Sequence, residues 1–197
     1  MPVPVEFWFD FASTYSYVAA MRVEAAAAAA GVPLLYRPFL LGPIFAKQGW
    51  NDSPYNLNPA RGRYMWRDIE RLCTTHGLPF RRPSRFPRNP VLAARVARAA
   101  SEESWLPAYI RAVFVANFGE DRDIADEALI GGILDTLGRD GRGTISAALD
   151  AEQRGRLREQ TDSAWKIGIV GAPTFVVNGE LFWGQDRMDE AFAWGRS

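Results

Sequence analysis

The chain has 197 residues, 48% hydrophobic and 23% charged, the balance of an ordinary globular protein. Its 23 basic and 23 acidic residues cancel, so it lacks the basic excess that nucleic-acid or anionic-membrane binding usually requires. A single cysteine, Cys73, and a single histidine, His76, exclude an intramolecular disulfide and a Cys/His zinc cage. We therefore expect a small-molecule or protein partner, and no metal, nucleic acid or membrane.

The first 40 residues have the pattern of a strand, a helix and a second strand. Val3, Val5, Phe7 and Phe9 alternate with Pro4, Glu6, Trp8 and Asp10, which predicts a strand. A helix is predicted from an N-cap at Ser13 to Gly31, and another strand over 33–39. Such a βαβ unit implies two parallel strands with a right-handed crossover. The start has no basic flank before an apolar run, so we expect no signal peptide and a cytoplasmic protein.

The middle of the chain is predicted to be helical. A Gly-, Pro- and Asn-rich loop with one possible short helix occupies 42–59. The helices that follow are predicted over 61–75, 90–103, 106–117, 126–137, 146–150 and 152–167.

The end of the chain has a ββα pattern. Short apolar segments over 174–177 and 180–183 flank Asn178-Gly179, a strong hairpin signal, and a last helix is predicted over 186–194. Together the βαβ and ββα units form a thioredoxin-like α/β fold with one four-stranded mixed sheet. In this interpretation 1–42 and 168–197 form a discontinuous thioredoxin-like domain, and 43–167 form an inserted all-helical domain.

The first candidate site is the turn that leads from the first strand into the first helix. Thioredoxin-like proteins carry Cys-x-x-Cys here, because a helix N-terminus stabilises a thiolate. Here the positions are Ser13-Thr14-Tyr15-Ser16, and serine does not exchange disulfides. Ser13 is either simply a helix cap or a hydroxyl that donates a hydrogen bond to a thiolate brought by a ligand.

Two further segments belong to the same predicted groove. Pro173 occupies the position where thioredoxin-like proteins have a cis-proline, and the backbone before it would pair with an extended ligand; the alternative is a trans proline that starts a strand. Gln185 and Asp186 open the last helix. Asp186 either caps this helix, or the two side chains bind a ligand's ammonium group. The three segments together predict a groove for a thiol tripeptide.

These segments also resemble a known family. Phe9-Asp10-Phe11-Ala12-Ser13-Thr14-Tyr15-Ser16-Tyr17, Gly168-x-x-Gly171-Ala172-Pro173-Thr174 and Gly184-Gln185-Asp186-Arg187 resemble motifs of 2-hydroxychromene-2-carboxylate isomerases and kappa-class glutathione transferases. The resemblance covers essentially the whole chain. One departure is Thr14, where the family commonly has proline.

The resemblance implies a DsbA-like fold, a homodimer and glutathione as cofactor. The family serine falls on Ser13, whose hydroxyl would stabilise the glutathione thiolate. The resemblance further implies that the glutathione-binding residues are Asn51, Arg61, Ala172, Pro173, Gln185 and Asp186. An aromatic or electrophilic small molecule would be the substrate. Tyr15, Phe39, Phe45 and Trp50 are candidate walls of its pocket, or they are simply core residues.

The predicted function is a glutathione-dependent isomerase that acts on an unsaturated aromatic keto acid. One alternative is a kappa-class glutathione transferase, which would keep the conjugate instead of releasing glutathione. Another is a non-catalytic thioredoxin-like module that binds a peptide or a protein. The arginine-rich stretch 81–88 could face a substrate carboxylate, or it could be a solvated loop.

Overall fold

The computed structural model describes residues 2–196 and contains one four-stranded sheet. Its strands are β1 (Val5–Phe9), β2 (Leu34–Pro38), β3 (Thr174–Val177) and β4 (Glu180–Trp183), in the order β2-β1-β3-β4. β1 pairs in parallel with β2 and antiparallel with β3, and β3 forms a hairpin with β4. The mixed sheet predicted from the βαβ and ββα units is confirmed.

Eleven α-helices surround the sheet in the described part of the chain. They are α1 (Thr14–Ala20), α2 (Val23–Ala30), α3 (Leu41–Lys47), α4 (Pro54–Leu57), α5 (Pro59–His76), α6 (Val91–Ala99), α7 (Leu106–Phe118), α8 (Glu127–Thr136), α9 (Gly141–Ala148), α10 (Ala151–Lys166) and α11 (Met188–Gly195). A short 3-10 turn, Gln185–Arg187, precedes α11.

The single helix predicted between Ser13 and Gly31 is wrong, because the segment forms two helices. Arg22 lies between them with φ −120° and ψ −23°, outside the helical range. The two helices pack on different partners, α1 on α5 and α7 and α2 on α11, and this explains the break. Both predicted ends are confirmed: Ser13 caps α1, and Gly31, at φ 65°, ends α2.

The helix predicted over 146–150 is also wrong in its bounds. α9 begins earlier, at Gly141, because the Asp140 side chain accepts a hydrogen bond from the amide of Gly143 and caps it. Two glycines in its first turn have low helix propensity and conceal this start in the sequence. Asp150 caps the next helix, α10, in the same way, by accepting from Gln153.

One aromatic core joins the sheet to the helices between β2 and β3. Phe9 on β1 lies 6.0 Å from Phe114 on α7, ring centre to ring centre, and Phe11 lies 5.0 Å from the same ring. All three side chains are fully buried. This packing fixes the β1–α1 turn, which begins at Asp10, against the helical region. In the described residues no helix has both the length and the hydropathy to cross a membrane.

Candidate functional site

A cavity of about 1150 Å³ opens between the end of β1, the loop before β3, and the segment α3–α5. Small-molecule sites typically have volumes of roughly 300–1,000 Å³, so this cavity has room for a tripeptide and a second small molecule. It is lined by all the residues that the sequence analysis assigned to thiolate stabilisation or glutathione binding: Ser13, Asn51, Arg61, Ala172, Pro173, Gln185 and Asp186. The fold therefore brings together residues that are up to 173 positions apart in the sequence.

Ser13 is both a helix cap and a hydroxyl at the cavity wall. Its Oγ accepts a hydrogen bond from the amide of Ser16, at 3.1 Å, which is the capping contact. The same hydroxyl donates to the backbone carbonyl of Ala172, at 3.0 Å. The two interpretations of Ser13 are therefore compatible, since capping uses a lone pair of the oxygen and leaves its proton to a second partner. Thr14, at the departure from the family motif, is buried as the first residue of α1.

The loop before β3 lies directly beside Ser13, on the same wall of the cavity. The peptide bond between Ala172 and Pro173 is cis, as the sequence position predicts. Around it, Thr174 Oγ1 donates to the carbonyl of Gly171 at 2.9 Å, and the amide of Gly184 donates to the carbonyl of Pro173, also at 2.9 Å. Within the described residues the amide of Ala172 has no protein acceptor. The Ala172 amide is therefore a donor available to an extended ligand, next to the Ala172 carbonyl, which accepts from Ser13.

Gln185 and Asp186 form one end of the cavity, in the 3-10 turn before α11. The guanidinium of Arg22 donates to Gln185 Oε1 at 3.1 Å. Because its carbonyl oxygen is used in this way, Gln185 presents its amide NH₂ group as a donor. The Asp186 carboxylate is largely exposed and caps no helix in the described chain. A donor beside a carboxylate suits the carboxylate and ammonium groups of an amino-acid end.

The site contains a buried acid, Asp10, which the sequence interpretation missed as a functional residue. Its side chain is 2% exposed and accepts hydrogen bonds from the amides of Ala12 and Leu41, each at 2.7 Å. Burial raises the pKa of this carboxyl to about 6, against the lowering effect of these two hydrogen bonds. Asp10 therefore ties the Ser13 turn to the start of α3.

The opposite side of the cavity is built from less regular chain. Asn51 lies in the exposed loop between α3 and α4, and Arg61 lies in the first turn of α5, after the N-cap Asn58. Among the candidate aromatic walls, Tyr15, Phe45 and Trp50 line the cavity. Phe39 does not: the cavity-wall interpretation is wrong for this residue and the core interpretation is confirmed, because the ring is fully buried beneath the other face of the sheet.

Phe39 belongs to a second apolar cluster, in which its ring lies 6.1 Å from that of Trp8. The solvated-loop interpretation of 81–88 also fails at Arg88. This side chain is almost fully buried: it forms an ion pair with Asp121 and donates to Asn117 Oδ1 at 3.1 Å. Its charge is therefore held by protein groups.

A hydrogen-bonded pair beyond Ser13 was also missed. The hydroxyl of Tyr15 donates to Asp68 Oδ2 on α5 at 3.0 Å, and Arg71 donates to the other oxygen of Asp68 at 3.0 Å. No sequence signal links Tyr15 to Asp68, because they lie 53 positions apart in unrelated elements.

Cysteine and histidine are often used for redox or metal chemistry, and neither Cys73 nor His76 lines this cavity. Cys73 is buried in α5, where burial raises the pKa of its thiol to about 11, so it has the character of a packing residue. Over residues 2–196 no group of three His, Cys, Asp or Glu side chains is arranged to hold a metal ion. The chemistry available in the cavity is therefore that of hydroxyls, amides, carboxylates and guanidiniums.

Comparison with known proteins places this chain in a family. A family model described as a DSBA-like thioredoxin domain matches residues 4–191. A 2-hydroxychromene-2-carboxylate isomerase of Sphingobium xenophagum is 25% identical over 96% of both chains. The enzyme of the same name from Pseudomonas putida is 28% identical over 93% of this chain and 90% of its own. Glutathione S-transferase kappa 1 of Rattus norvegicus is 27% identical over 95% of this chain and 88% of its own.

Solved structures agree with this assignment. The structure of a 2-hydroxychromene-2-carboxylate isomerase superposes with a TM-score of 0.86 at 28% identity, covering 98% of this chain and 95% of that one. A probable DsbA oxidoreductase of Streptomyces coelicolor superposes with a TM-score of 0.76 at 22% identity, over 98% and 89% of the two chains, and supports the fold alone. The chain belongs to the DSBA-like thioredoxin domain family, with 2-hydroxychromene-2-carboxylate isomerases and a kappa-class glutathione transferase among its relatives.

Proposed function

We propose that this protein is a glutathione-dependent isomerase of the 2-hydroxychromene-2-carboxylate isomerase type. The observation that carries the proposal is the Ser13 hydroxyl, which lies at the wall of a large cavity and donates to the carbonyl of Ala172. Relatives of this name match nearly the whole chain. The three parts of glutathione have suitable partners: Ser13 for the thiol, Ala172 for the peptide, and Gln185 with Asp186 for the γ-glutamyl end.

Ser13 would act by exchanging its hydrogen-bond acceptor. In the free protein its proton is directed to the Ala172 carbonyl, so stabilising a thiolate requires the hydroxyl to turn toward the sulfur. A ligand amide that donates to the Ala172 carbonyl would replace the bond lost there. The cap contact from the Ser16 amide uses a lone pair and can remain throughout.

The free energies are of the right size for this role. A thiol with a pKa of about 8.5 needs a lowering of about two units to be mostly thiolate at pH 7, or roughly 2.7 kcal/mol. A hydrogen bond to a charged acceptor contributes about 1.5–3 kcal/mol, and giving up a neutral one costs about 0.5–1.5 kcal/mol. Ser13 can therefore activate a thiol fully only if another donor takes its place at the Ala172 carbonyl. A ligand that carries both a thiol and a peptide amide supplies that donor.

When bound, glutathione supplies a nucleophilic thiolate that adds reversibly to an unsaturated aromatic keto acid, so that the carbon–carbon bond can rotate before the thiolate leaves. The protein supplies the remaining requirements. Ser13 holds the negative charge, and the Tyr15, Phe45 and Trp50 side chains shield the reacting atoms from water. The cavity volume of about 1150 Å³ would leave space for the rotation.

A kappa-class glutathione transferase is the second candidate, and a specific relative supports it. Both enzymes would use the same thiolate, and they differ in whether the conjugate breaks down. Three isomerases match this chain, against one kappa-class transferase at similar identity and coverage, and a solved isomerase superposes with a TM-score of 0.86; this favours the isomerase. Product analysis separates the two, because an isomerase returns all the glutathione and a transferase leaves a stable thioether.

The first experiment follows thiolate absorbance in the ultraviolet while the protein is titrated into glutathione at pH 7. We expect a thiolate signal for the wild type, and its loss in Ser13→Ala with a turnover lower by about 10- to 150-fold, since one charge-assisted hydrogen bond of about 1.5–3 kcal/mol is removed. Ser16→Ala is the matched control. Its hydroxyl is buried without a hydrogen-bond partner in the described structure and lies outside the cavity.

Three outcomes bear on the proposal. A thiolate signal that needs Ser13 and not the Ser16 hydroxyl supports the activated cofactor. Binding of glutathione without a thiolate would point to a peptide or partner-binding module. No binding would contradict the glutathione hypothesis altogether.

The proposal also includes a homodimer and a cytoplasmic location, which follow from the family resemblance and from the sequence. Sedimentation equilibrium across a range of protein concentrations tests the dimer. A mass of one chain, 22.0 kDa, at micromolar concentration would contradict it.

A further inference from the structure

A second, smaller cavity lies on the other side of α3 from the cavity described above. It has a volume of about 490 Å³ and opens between the start of α3, α6 and α10. Leu40 and Pro43 line this second cavity, whereas Leu41 and Phe45 line the first. Among the described residues none lines both, so α3 separates the two. The proposed thiolate chemistry uses no part of the second cavity, which therefore requires a separate account.

Three guanidinium groups lie on the wall of the second cavity. Arg95 is on α6, and Arg154 and Arg158 lie one turn apart on α10. In the described chain none of the three forms an ion pair. The acid on the same wall, Asp162, accepts a hydrogen bond from Lys47 at 2.9 Å. The second cavity therefore has an excess of positive charge that is left to a ligand.

Hydrogen bonds hold this wall in place. Arg154 Nε donates to the carbonyl of Leu149 at 2.6 Å, which leaves the two terminal nitrogens of its guanidinium as donors. Thr161 is 3% exposed, and its hydroxyl donates to the carbonyl of Leu157 at 2.9 Å. The same hydroxyl accepts from the amide of Leu40 at 3.2 Å and joins α10 to the start of α3. The donors of the wall are thus positioned before any ligand binds.

The next turn of α6 shows the same shortage of negative charge. Within residues 2–196 the Nε of Arg98 is buried and has no hydrogen-bond partner. Burial, followed by Arg156 and Arg37, holds the pKa of the Arg98 guanidinium below its ordinary value. Glu159 and Glu102 oppose this lowering by less. The positive charge that α6 and α10 carry is therefore incompletely balanced, and a bound anion would balance it.

The rest of the wall determines what kind of anion fits. It is aliphatic, and it is formed by Leu40, Pro43, Val91 and Leu157. An inorganic anion would use the guanidiniums and leave this apolar surface in contact with water. A carboxylate on a compact apolar body would use both, because guanidiniums bind carboxylates through paired hydrogen bonds and aliphatic side chains bury the body. The volume lies in the range of roughly 300–1,000 Å³ that is usual for such ligands.

We propose that the second cavity is a binding site for a small organic acid, a carboxylate on a compact apolar body, separate from the glutathione cavity. Arg95 would be the main contact, because its side chain is half-buried and water screens its charge least. Arg154 and Arg158, which are exposed, would bind the carboxylate from the solvent side. The inference does not depend on the proposed function, since it involves neither glutathione nor a thiolate.

The test measures the binding of adamantanecarboxylate, adamantanecarboxamide and inorganic phosphate to the full chain at pH 7 by isothermal titration calorimetry. We expect the acid to bind about tenfold or more tightly than the carboxamide, which has the same shape without the charge. The acid should also bind more tightly than phosphate, which buries no apolar surface. Arg95→Gln should weaken binding of the acid about tenfold, and Arg154→Gln and Arg158→Gln about two- to fivefold each.

Arg156→Gln is the matched control. Arg156 lies on the same helix as Arg154, pairs with Glu152 and lines neither cavity, so this variant should keep the wild-type affinity for the acid. Arg61→Gln shows which cavity the acid occupies, because Arg61 lines only the first. It too should leave the affinity for the acid unchanged.

Several results would overturn the inference. They are the absence of binding, equal affinity for the acid and the carboxamide, and affinity for phosphate equal to or above that for the acid. Loss of acid binding in Arg61→Gln but not in Arg95→Gln would overturn it as well, since the acid would then occupy the first cavity. Circular dichroism verifies that each variant is folded. If Arg95→Gln is unstable, Arg154→Gln and Arg158→Gln still decide the question, because both side chains are exposed.

Discussion

The two walls of the cavity differ in how firmly the protein holds them. The sheet wall, made by Asp10, Ser13, Ala172 and Pro173, lies mostly inside the protein, with Asp10 2% and Ser13 8% exposed. The helical wall, which contains Trp50, Asn51, Arg61 and Tyr64, is open, with Trp50 36% and Tyr64 63% exposed. The polar groups of the first wall bond mainly to other protein groups, whereas those of the second are mostly exposed.

This contrast suggests that the two walls have different roles in the proposed reaction. Thiolate stabilisation depends on the placement of one hydroxyl, so it belongs on the wall whose geometry is fixed by burial and hydrogen bonds. Recognition of a variable electrophile tolerates a looser surface, and loops and first helical turns supply it. Substitutions behind the sheet wall should therefore lower the free energy of unfolding far more than equivalent substitutions on the helical wall.

The largest expected effect on stability is that of Asn117→Ala. Asn117 is 1% exposed; it donates to the carbonyl of Phe11 at 2.9 Å and accepts from Arg88 at 3.1 Å. Its loss would leave a buried carbonyl unsatisfied just before the Ser13 turn and weaken the hold on a buried guanidinium. We expect the free energy of unfolding to fall by about 3 kcal/mol in chemical denaturation.

Asn51→Ala is the matched substitution on the helical wall. It removes no hydrogen bond found in the described structure, and the side chain is exposed, so its effect should be below about 0.5 kcal/mol. Similar losses for Asn117→Ala and Asn51→Ala would contradict the difference between the walls.

The next effect concerns the pH dependence of stability at the sheet wall. The pKa of Asp10 is about 6 in the folded protein, against 3.8 for the free side chain, because burial opposes its charge. Between these pH values the folded state binds more protons than the unfolded state. The contribution of Asp10 to the free energy of unfolding is therefore fully present below pH 3.8 and is lost as the pH rises through about 6. These values predict about 2 kcal/mol more stability at pH 4 than at pH 7 from this group.

Comparing the wild type with Asp10→Asn isolates this contribution. Other carboxyl groups, such as Asp162 beside Lys47, have a lowered pKa and act in the opposite direction, but they are present in both proteins. Denaturation at several pH values from 4 to 7 should show the free energy of unfolding of the wild type falling, relative to that of Asp10→Asn, by about 2 kcal/mol toward pH 7. A difference independent of pH would mean that Asp10 keeps an ordinary pKa and that the turn is more hydrated than the geometry indicates.

The sequence predicted the sheet wall well and the helical wall less well, for physical reasons. The helix cap at Ser13 and the cis bond before Pro173 lie in local motifs, where the conformation is determined largely by residues that are close in the sequence. The side chain of Asn51 depends on an irregular loop whose position is set by distant packing. The same difference explains why Phe39 was a candidate wall of the cavity: its position at the end of β2 was clear, but the face of the sheet on which it lies was not.

Contacts between distant segments were the hardest to predict. The bond between Tyr15 and Asp68 spans 53 residues, and that between Arg22 and Gln185 spans 163. The sequence gives no period or motif that relates such positions. Asp10 is different, because a carboxyl between Phe9 and Phe11 at the end of an apolar strand could have been recognised as buried and therefore perturbed.

The smallest expected effect on stability comes from Arg61→Gln, on the helical wall. Arg61 is exposed, and none of its side-chain atoms forms an ion pair in the described chain, so the free energy of unfolding should change by less than about 0.5 kcal/mol. If it contacts the glycyl carboxylate of glutathione, the same substitution should weaken glutathione binding up to about fivefold, the size of an exposed ion pair of about 1 kcal/mol.

Salt then distinguishes this electrostatic role from a change of shape. The affinity of the wild type for glutathione, measured by calorimetry, should fall between 0.05 and 0.5 M salt, because the screening length changes roughly threefold over this range. Arg61→Gln should lose most of that salt dependence. Arg63→Gln is the matched control, because Arg63 is exposed on the same helix and does not line the cavity. An equal loss of affinity for glutathione in both variants would indicate that the summed positive charge of α5 attracts the ligand. The helical wall would then act without a specific contact at Arg61.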